Sequence, residues 1–255
     1  MEEILIAHRQ GAVLSLTLNR PARRNALNTA LLEGLALALR EAAADPAIRA
    51  VCLAGAEGHF AAGADIDEIA DKGSADGAAD PRKAHWAQIR AFPKPVVAGV
   101  EGFCLGGGCE LALMADIIVA APDAKFGLPE TNLGIAPGAG GAHRLTALIG
   151  RARAMRMVLT GEIIDGATAH SWGLAAYLAD GNAPDDAHAL AERLAKRAPL
   201  ALAAGKRAVI AAAEGPLAAG LAEERRAFEA LLDSADKAEG IAAFREKRKP
   251  VFEGR

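Results

Sequence analysis

Four short apolar runs constrain this chain more than any other feature. They are residues 13–18 (Val-Leu-Ser-Leu-Thr-Leu), 50–54 (Ala-Val-Cys-Leu-Ala), 96–100 (Val-Val-Ala-Gly-Val) and 117–120 (Ile-Ile-Val-Ala). Each is apolar on nearly every position, the pattern of a strand covered on both faces rather than one facing water. Several lead into a glycine-rich loop and then a helical pattern. Between the first two, residues 28–44 read as a helix, with Asn28 as N-cap and Leu31, Leu35 and Leu39 on one face. Strands alternating with helices predict an α/β body.

Beyond Pro199 no strand signal remains. Leu217, Leu221, Phe228 and Leu231 form an apolar stripe, interleaved with Glu223, Glu224, Arg225 and Arg226. The expected organisation is therefore a core over residues 1–198 and a helical C-terminal module over residues 199–255. The module should pack on its own body or on a neighbouring subunit. With 63 alanines among 255 residues, the packed elements should approach closely.

Charge and cysteine usage narrow the function classes. Lys and Arg total 29 against 32 Asp and Glu, so the chain offers no electrostatic reason to bind nucleic acid or an acidic membrane. The acidic opening Met1-Glu2-Glu3 lacks the basic and apolar regions of an export signal, and the longest apolar stretch, near residues 111–121, is interrupted by Asp116. A soluble, cytoplasmic protein is expected. Cys52, Cys104 and Cys109 are an odd number in apolar surroundings and read as free thiols.

Familiar catalytic signatures are missing. The six histidines show no i, i+4 pair, and no Gly-x-Ser-x-Gly or Gly-Lys-Ser/Thr loop occurs. Gly106-Gly107-Gly108 and Gly138-Ala139-Gly140-Gly141 each lack the last glycine of a dinucleotide loop.

Two glycine-containing loops then carry the argument: residues 59–66 after the second run, and residues 102–110 after the third. Small residues let backbone N–H groups approach a ligand, and the second loop enters a helical stretch over residues 108–115, at a positive helix end. Two such loops facing one oxygen would make an oxyanion hole; on the residues alone they could equally be tight turns. Glu110 and Glu130 sit among apolar neighbours, where a carboxylate is costly unless bonded, paired or protonated. They suit a pair of acid/base groups, or else a helix cap and an ion pair with Arg144.

At these residues the chain resembles the crotonase (enoyl-CoA hydratase/isomerase) superfamily. The likeness rests on Asn19-Arg20-Pro21 through Asn25-Ala26-Leu27-Asn28, Phe60-Ala61-Ala62-Gly63-Ala64-Asp65-Ile66, Leu105-Gly106-Gly107-Gly108-Cys109-Glu110-Leu111-Ala112 and Phe126-Gly127-Leu128-Pro129-Glu130 through Gly138. It continues to the tail Phe244-Arg245-Glu246-Lys247-Arg248. The resemblance implies a spiral of ββα repeats and a helical C-terminal oligomerisation module, assembled as a homotrimer or homohexamer.

It also implies hydration of a trans-2-enoyl-CoA, with no metal or cofactor beyond the coenzyme A of the substrate. The amides of Ala64 and Gly107 would bind the thioester oxygen, and Glu110 and Glu130 would be the acid/base pair. Arg24, Ala62, Gly63, Asp65, Ile66, Phe244 and Lys247 would contact CoA. Ala142-His143 and Glu101 depart from the usual family residues. Within the family, Pro21-Ala22-Arg23-Arg24-Asn25, His85-Trp86 and Ala218 through Arg225 are similar to the 2,3-dehydroadipyl-CoA hydratases of phenylacetate catabolism. For a dicarboxylic acyl tail, Arg82, Lys83, His85 and Arg90 would be the candidate cations. The same hole also serves isomerases, decarboxylases and hydrolases, and some members are non-enzymatic or bind RNA; two glutamates favour hydration.

Overall fold

The computed structural model describes residues 3–255; Met1 and Glu2, the start of the acidic opening, lie outside the described residues. All four apolar runs form strands of one six-stranded sheet. A hairpin of β1 (Leu5–Gln10) and β2 (Val13–Leu18) starts it. Then β2, β3 (Ala50–Gly55), β4 (Val96–Val100), β6 (Ile117–Ala120) and β9 (Tyr177–Leu178) pair in parallel, in that order. Every residue of β4 is buried, as its unbroken apolar run requires.

A second sheet is built from strands too short to leave a sequence period: β5 (Phe103–Leu105), β7 (Lys125–Gly127) and β8 (Ile164–Asp165). β4 and β6 are parallel neighbours in the large sheet while β5 and β7 are parallel neighbours in the small one. Each turn of the chain thus gives one strand to each sheet before a helix closes it: α4 (Gly107–Ala112) after β5 and α5 (Gly141–Thr160) after β7. This is the expected spiral of ββα repeats. α4 ends at Ala112, earlier than the expected helix over residues 108–115, because Asp116 is already turning into β6, its Oδ2 accepting the Val96 amide at 2.7 Å.

Helix α1 (Thr29–Ala44) is capped as expected, Asn28 accepting from the Leu31 amide, with Leu31, Leu35 and Leu39 buried. α2 (Ser74–Ala78) and α3 (Arg82–Arg90) follow β3, and α3 packs on α1. After α6 (Gly166–Trp172), helix α7 (Ala183–Ala195) lies across β3 and β4 with Ala183, Ala187, Ala191 and Ala195 buried, the close approach that the alanine content foretells. Asn182 caps this helix, accepting the Asp185 amide, and Glu101 Oε1 supports the cap by accepting from Asn182 Nδ2 at 3.0 Å and from the Ala183 amide. Residues from Pro199 onward form α8 (Pro199–Glu214), α9 (Leu217–Leu231) and α10 (Ala235–Glu246). The tail is tied back, buried Asp236 accepting the Glu253 and Gly254 amides and Arg49 donating to the Phe252 carbonyl. Cys52, Cys104 and Cys109 are free and buried. None of the described helices is long and apolar enough to cross a membrane.

Asn25 illustrates how the body serves the loops. Fully buried, its amide donates to the Ala56 and His59 carbonyls and its oxygen accepts the Arg20 amide. Replacing Asn25 with alanine strands the Arg20 amide and the His59 carbonyl, leaves the Ala56 carbonyl only the 3.4 Å bond from the His59 amide, and should destabilise the fold by about 3 kcal/mol. Urea unfolding of the variant checks this; a loss within ~0.5 kcal/mol would contradict it.

Candidate active site

Parallel strands present their carboxyl ends to ligands in open α/β sheets, and the two glycine-containing loops leave the carboxyl ends of β3 and β4. The loops are stitched together by backbone. Ala61 donates to the Phe103 carbonyl at 2.8 Å and accepts from the Leu105 amide at 3.0 Å. Gly108 makes this possible, since a Cβ there would stand 2.3 Å from the Ala61 oxygen. A second bridge pairs Leu27 with Ala64, the Leu27 amide donating to Gly63 and the Asp65 amide to Leu27.

Ala64 and Gly107 thereby come together: a Cβ placed on Gly107 would lie 3.5 Å from the Ala64 nitrogen. Among the described residues neither of their amides has an acceptor. Both residues line a cavity of about 350 Å³, whose walls include Leu27, Ile69, Trp86, Leu133 and Ile135. Two unclaimed donors in an apolar recess are what a developing oxyanion needs.

Glu110 and Glu130 line the same cavity. Glu110, 4% exposed, rises from α4 and takes two amides on one oxygen, Ala139 at 2.7 Å and Gly141 at 2.8 Å. Through the Gly141 amide Glu110 caps the start of α5, while among the described residues it forms no ion pair with Arg144. Arg144 instead donates to the Ala139 carbonyl at 3.2 Å, and its nearest carboxylate is Glu214 at 4.0 Å. Gly141 must be glycine, because a Cβ would press within 3.0 Å of the Glu110 carboxylate. The loop at Gly138, which fails as a dinucleotide loop, is thus the clamp that orients Glu110, and its four-residue glycine cluster was the one signal for it. Glu110 Oε2 stays unengaged by protein donors.

Glu130 opens a short 3-10 turn, Glu130–Leu133, and its Oε2 is buried without a hydrogen-bond partner. Burial, and then the charge of Glu110, push its carboxyl above the ordinary 4.5. One carboxylate is therefore fixed by donors and the other is biased toward its protonated form.

A family model described as enoyl-CoA hydratase/isomerase matches residues 8–255. The chain belongs to that family. A 2,3-dehydroadipyl-CoA hydratase of Escherichia coli (strain K12) is 48% identical over 98% of this chain and 99% of its own length. A probable enoyl-CoA hydratase of Rhizobium meliloti is 44% identical over 99% of each chain. The crystal structure of an enoyl-CoA hydratase from Bacillus anthracis superposes with a TM-score of 0.93 at 34% identity, covering 99% of this chain and 100% of that one.

The residues expected to contact CoA fall in three settings. Ala62, Gly63 and Ile66 line the cavity. Arg24 lies beside them, its carbonyl accepting the Ala62 amide and its guanidinium over the Phe103 ring. Asp65 turns away: buried, it pairs with Arg20 at 2.7 Å, and that hydrogen bond holds its carboxyl below the usual range. Phe244, 85% exposed, and Lys247 sit on and just after α10, outside the cavity lining. Among the described residues no cluster of three His, Cys, Asp or Glu side chains could hold a metal ion.

The raised carboxyl of Glu130 has a consequence for stability. Its contribution to folding is fully present below pH 4.5 and is lost as pH rises through the raised value. Glu130→Gln, which cannot ionise, should therefore melt above the wild type at neutral pH, with the gain vanishing below pH 4.5. Melting curves across that range check it; a gain independent of pH would uncouple Glu130 ionisation from folding.

Proposed function

We infer that this protein is an enoyl-CoA hydratase, a hydro-lyase acting on trans-2-enoyl-CoA thioesters. The observation that carries the reading is the meeting of two acceptor-free amides, Ala64 and Gly107, with two carboxyl groups in one apolar cavity. The amides draw charge onto the thioester oxygen, which makes C3 electrophilic. A water held by Glu110 and Glu130 adds its oxygen to C3 and loses a proton to a carboxylate. The resulting enolate, stabilised in the hole, collapses as C2 takes a proton from the pair. One water is consumed and both carboxyl groups return to their starting states. The clamped Glu110 supplies a fixed acceptor, while Glu130, raised by burial, suits a group that passes through its acid form.

Coenzyme A belongs to the substrate, and no further cofactor enters this scheme. Arg24 and the segment from Ala62 through Ile66 would meet the CoA portion, with Asp65 contributing through its backbone; Phe244 and Lys247 would help enclose it. The name of the Escherichia coli relative extends the substrate to 2,3-dehydroadipyl-CoA. Homotrimer or homohexamer formation would cover the apolar side chains that α9 leaves in water, Leu217 at 74%, Leu221 at 56% and Phe228 at 53% exposure. Buried free thiols fit a reducing cytoplasm.

Loss of enoyl-thioester absorbance on crotonyl-CoA tests the chemistry. Glu110→Gln and Glu130→Gln should each slow hydration by about 10²–10⁴-fold with the fold preserved; near-wild-type turnover by both would refute the assignment. Light scattering at micromolar concentration should report an oligomer, and a stable monomer would remove the proposed assembly.

A further inference from the structure

Five titratable side chains line the cavity, and only Glu110 and Glu130 belong to the reaction centre. The other three, Asp80, Arg82 and Lys83, stand where α3 begins. Arg82 is paired with Asp80. Its Nε donates to Asp80 Oδ1 at 3.0 Å and to Oδ2 at 2.9 Å, its Nη2 donates to Oδ2 at 2.5 Å, and the pairing holds the Asp80 carboxyl well below the usual range. Lys72 adds a second cation to Asp80 at 3.3 Å. The next acid, Glu68, has its Oε2 engaged by the amide and hydroxyl of Thr29.

Lys83 differs. Its Nζ donates to the Ala78 carbonyl at 2.9 Å, and among the described residues it has no carboxylate at ion-pair distance. His85 and Arg90, the remaining cations of this helix, do not line the cavity. An ammonium on the rim of a recess walled by Ile69, Trp86, Leu133 and Ile135 gains nothing from a methyl-terminated acyl chain. It gains a charge-assisted hydrogen bond from a chain that ends in a carboxylate. Asp80 would repel such a chain if bare, and Arg82 with Lys72 cancels it.

We propose that Lys83 forms a carboxylate subsite of the acyl pocket, which selects 2-enoyl thioesters with an acidic tail. The proposal rests on the enoyl-CoA hydratase reading and identifies the residue that reads the far end of the substrate. Lys83 is a specificity residue; it takes no part in the proton transfers.

Affinity for unreactive thioesters tests the subsite apart from the chemistry. Adipyl-CoA and hexanoyl-CoA have the same chain length and differ in a terminal carboxylate against a methyl. Titration calorimetry should show that Lys83→Met lowers the adipyl-to-hexanoyl affinity ratio by about 10- to 100-fold, while Lys83→Arg retains most of it. An unchanged ratio overturns the subsite. A parallel loss for both ligands also overturns it and assigns Lys83 to the shared CoA portion. Wild-type hydration of crotonyl-CoA, measured beside it, reports on the hydratase reading alone: its absence with an intact ratio would overturn the reaction and leave the carboxylate subsite standing.

Discussion

Two backbone hydrogen bonds at Ala61, one given to Phe103 and one taken from Leu105, hold the loop after β3 against the strand after β4. Everything chemical depends on that bridge. It sets Ala64 beside Gly107, and it places α4 so that Glu110 emerges into the same recess. Both bonds run backbone to backbone, across the glycine that lets the two chains touch, and His59 reinforces them by accepting the Phe103 amide on Nδ1 at 3.2 Å. A site built this way has little rotamer freedom to lose when it binds, which suits preorganised oxyanion stabilisation.

The two carboxyl groups divide their roles by environment rather than by residue type. Glu110 is anchored by amides from a loop that begins α5, and Arg144 holds that loop from behind through the Ala139 carbonyl. Glu130 is left with an oxygen that nothing among the described residues satisfies. A buried unsatisfied oxygen costs stability, and active sites are where such costs persist. The spiral of ββα units brings these groups together from different turns of the chain, the large sheet acting as a rigid floor.

How much of this was legible depended on whether the signal was local. β2, β3, β4 and β6 declared themselves because continuous apolar runs have few other uses, and α1 did so through its Asn28 cap and leucine stripe. Glu110 and Glu130 stood out because carboxylates in apolar company demand an explanation. The resemblance supplied Ala64 and Gly107 as a pair, where the residues alone could not separate a hole from a turn. What stayed hidden was pairing over distance. β5 and β7 are three residues each and are held by partners distant in sequence: each other, β8 and Ala61. The amides on Glu110 come from 29 and 31 positions downstream, and Glu101 accepts a hydrogen bond from a helix cap 81 positions away. Arg82 looked like a free cation in sequence and is spent on Asp80, two residues before it.

The sulfur atoms carry one more consequence. Burial pushes the Cys52 thiol up to about 12 and the Cys104 thiol well above its ordinary value, so neither supplies thiolate while the chain is folded. Oxidants and electrophiles that attack thiolates therefore reach Cys52 and Cys104 in molecules that have opened. Chemical damage at these two thiols is thereby sorted by conformation, the opened molecule being the one that reacts.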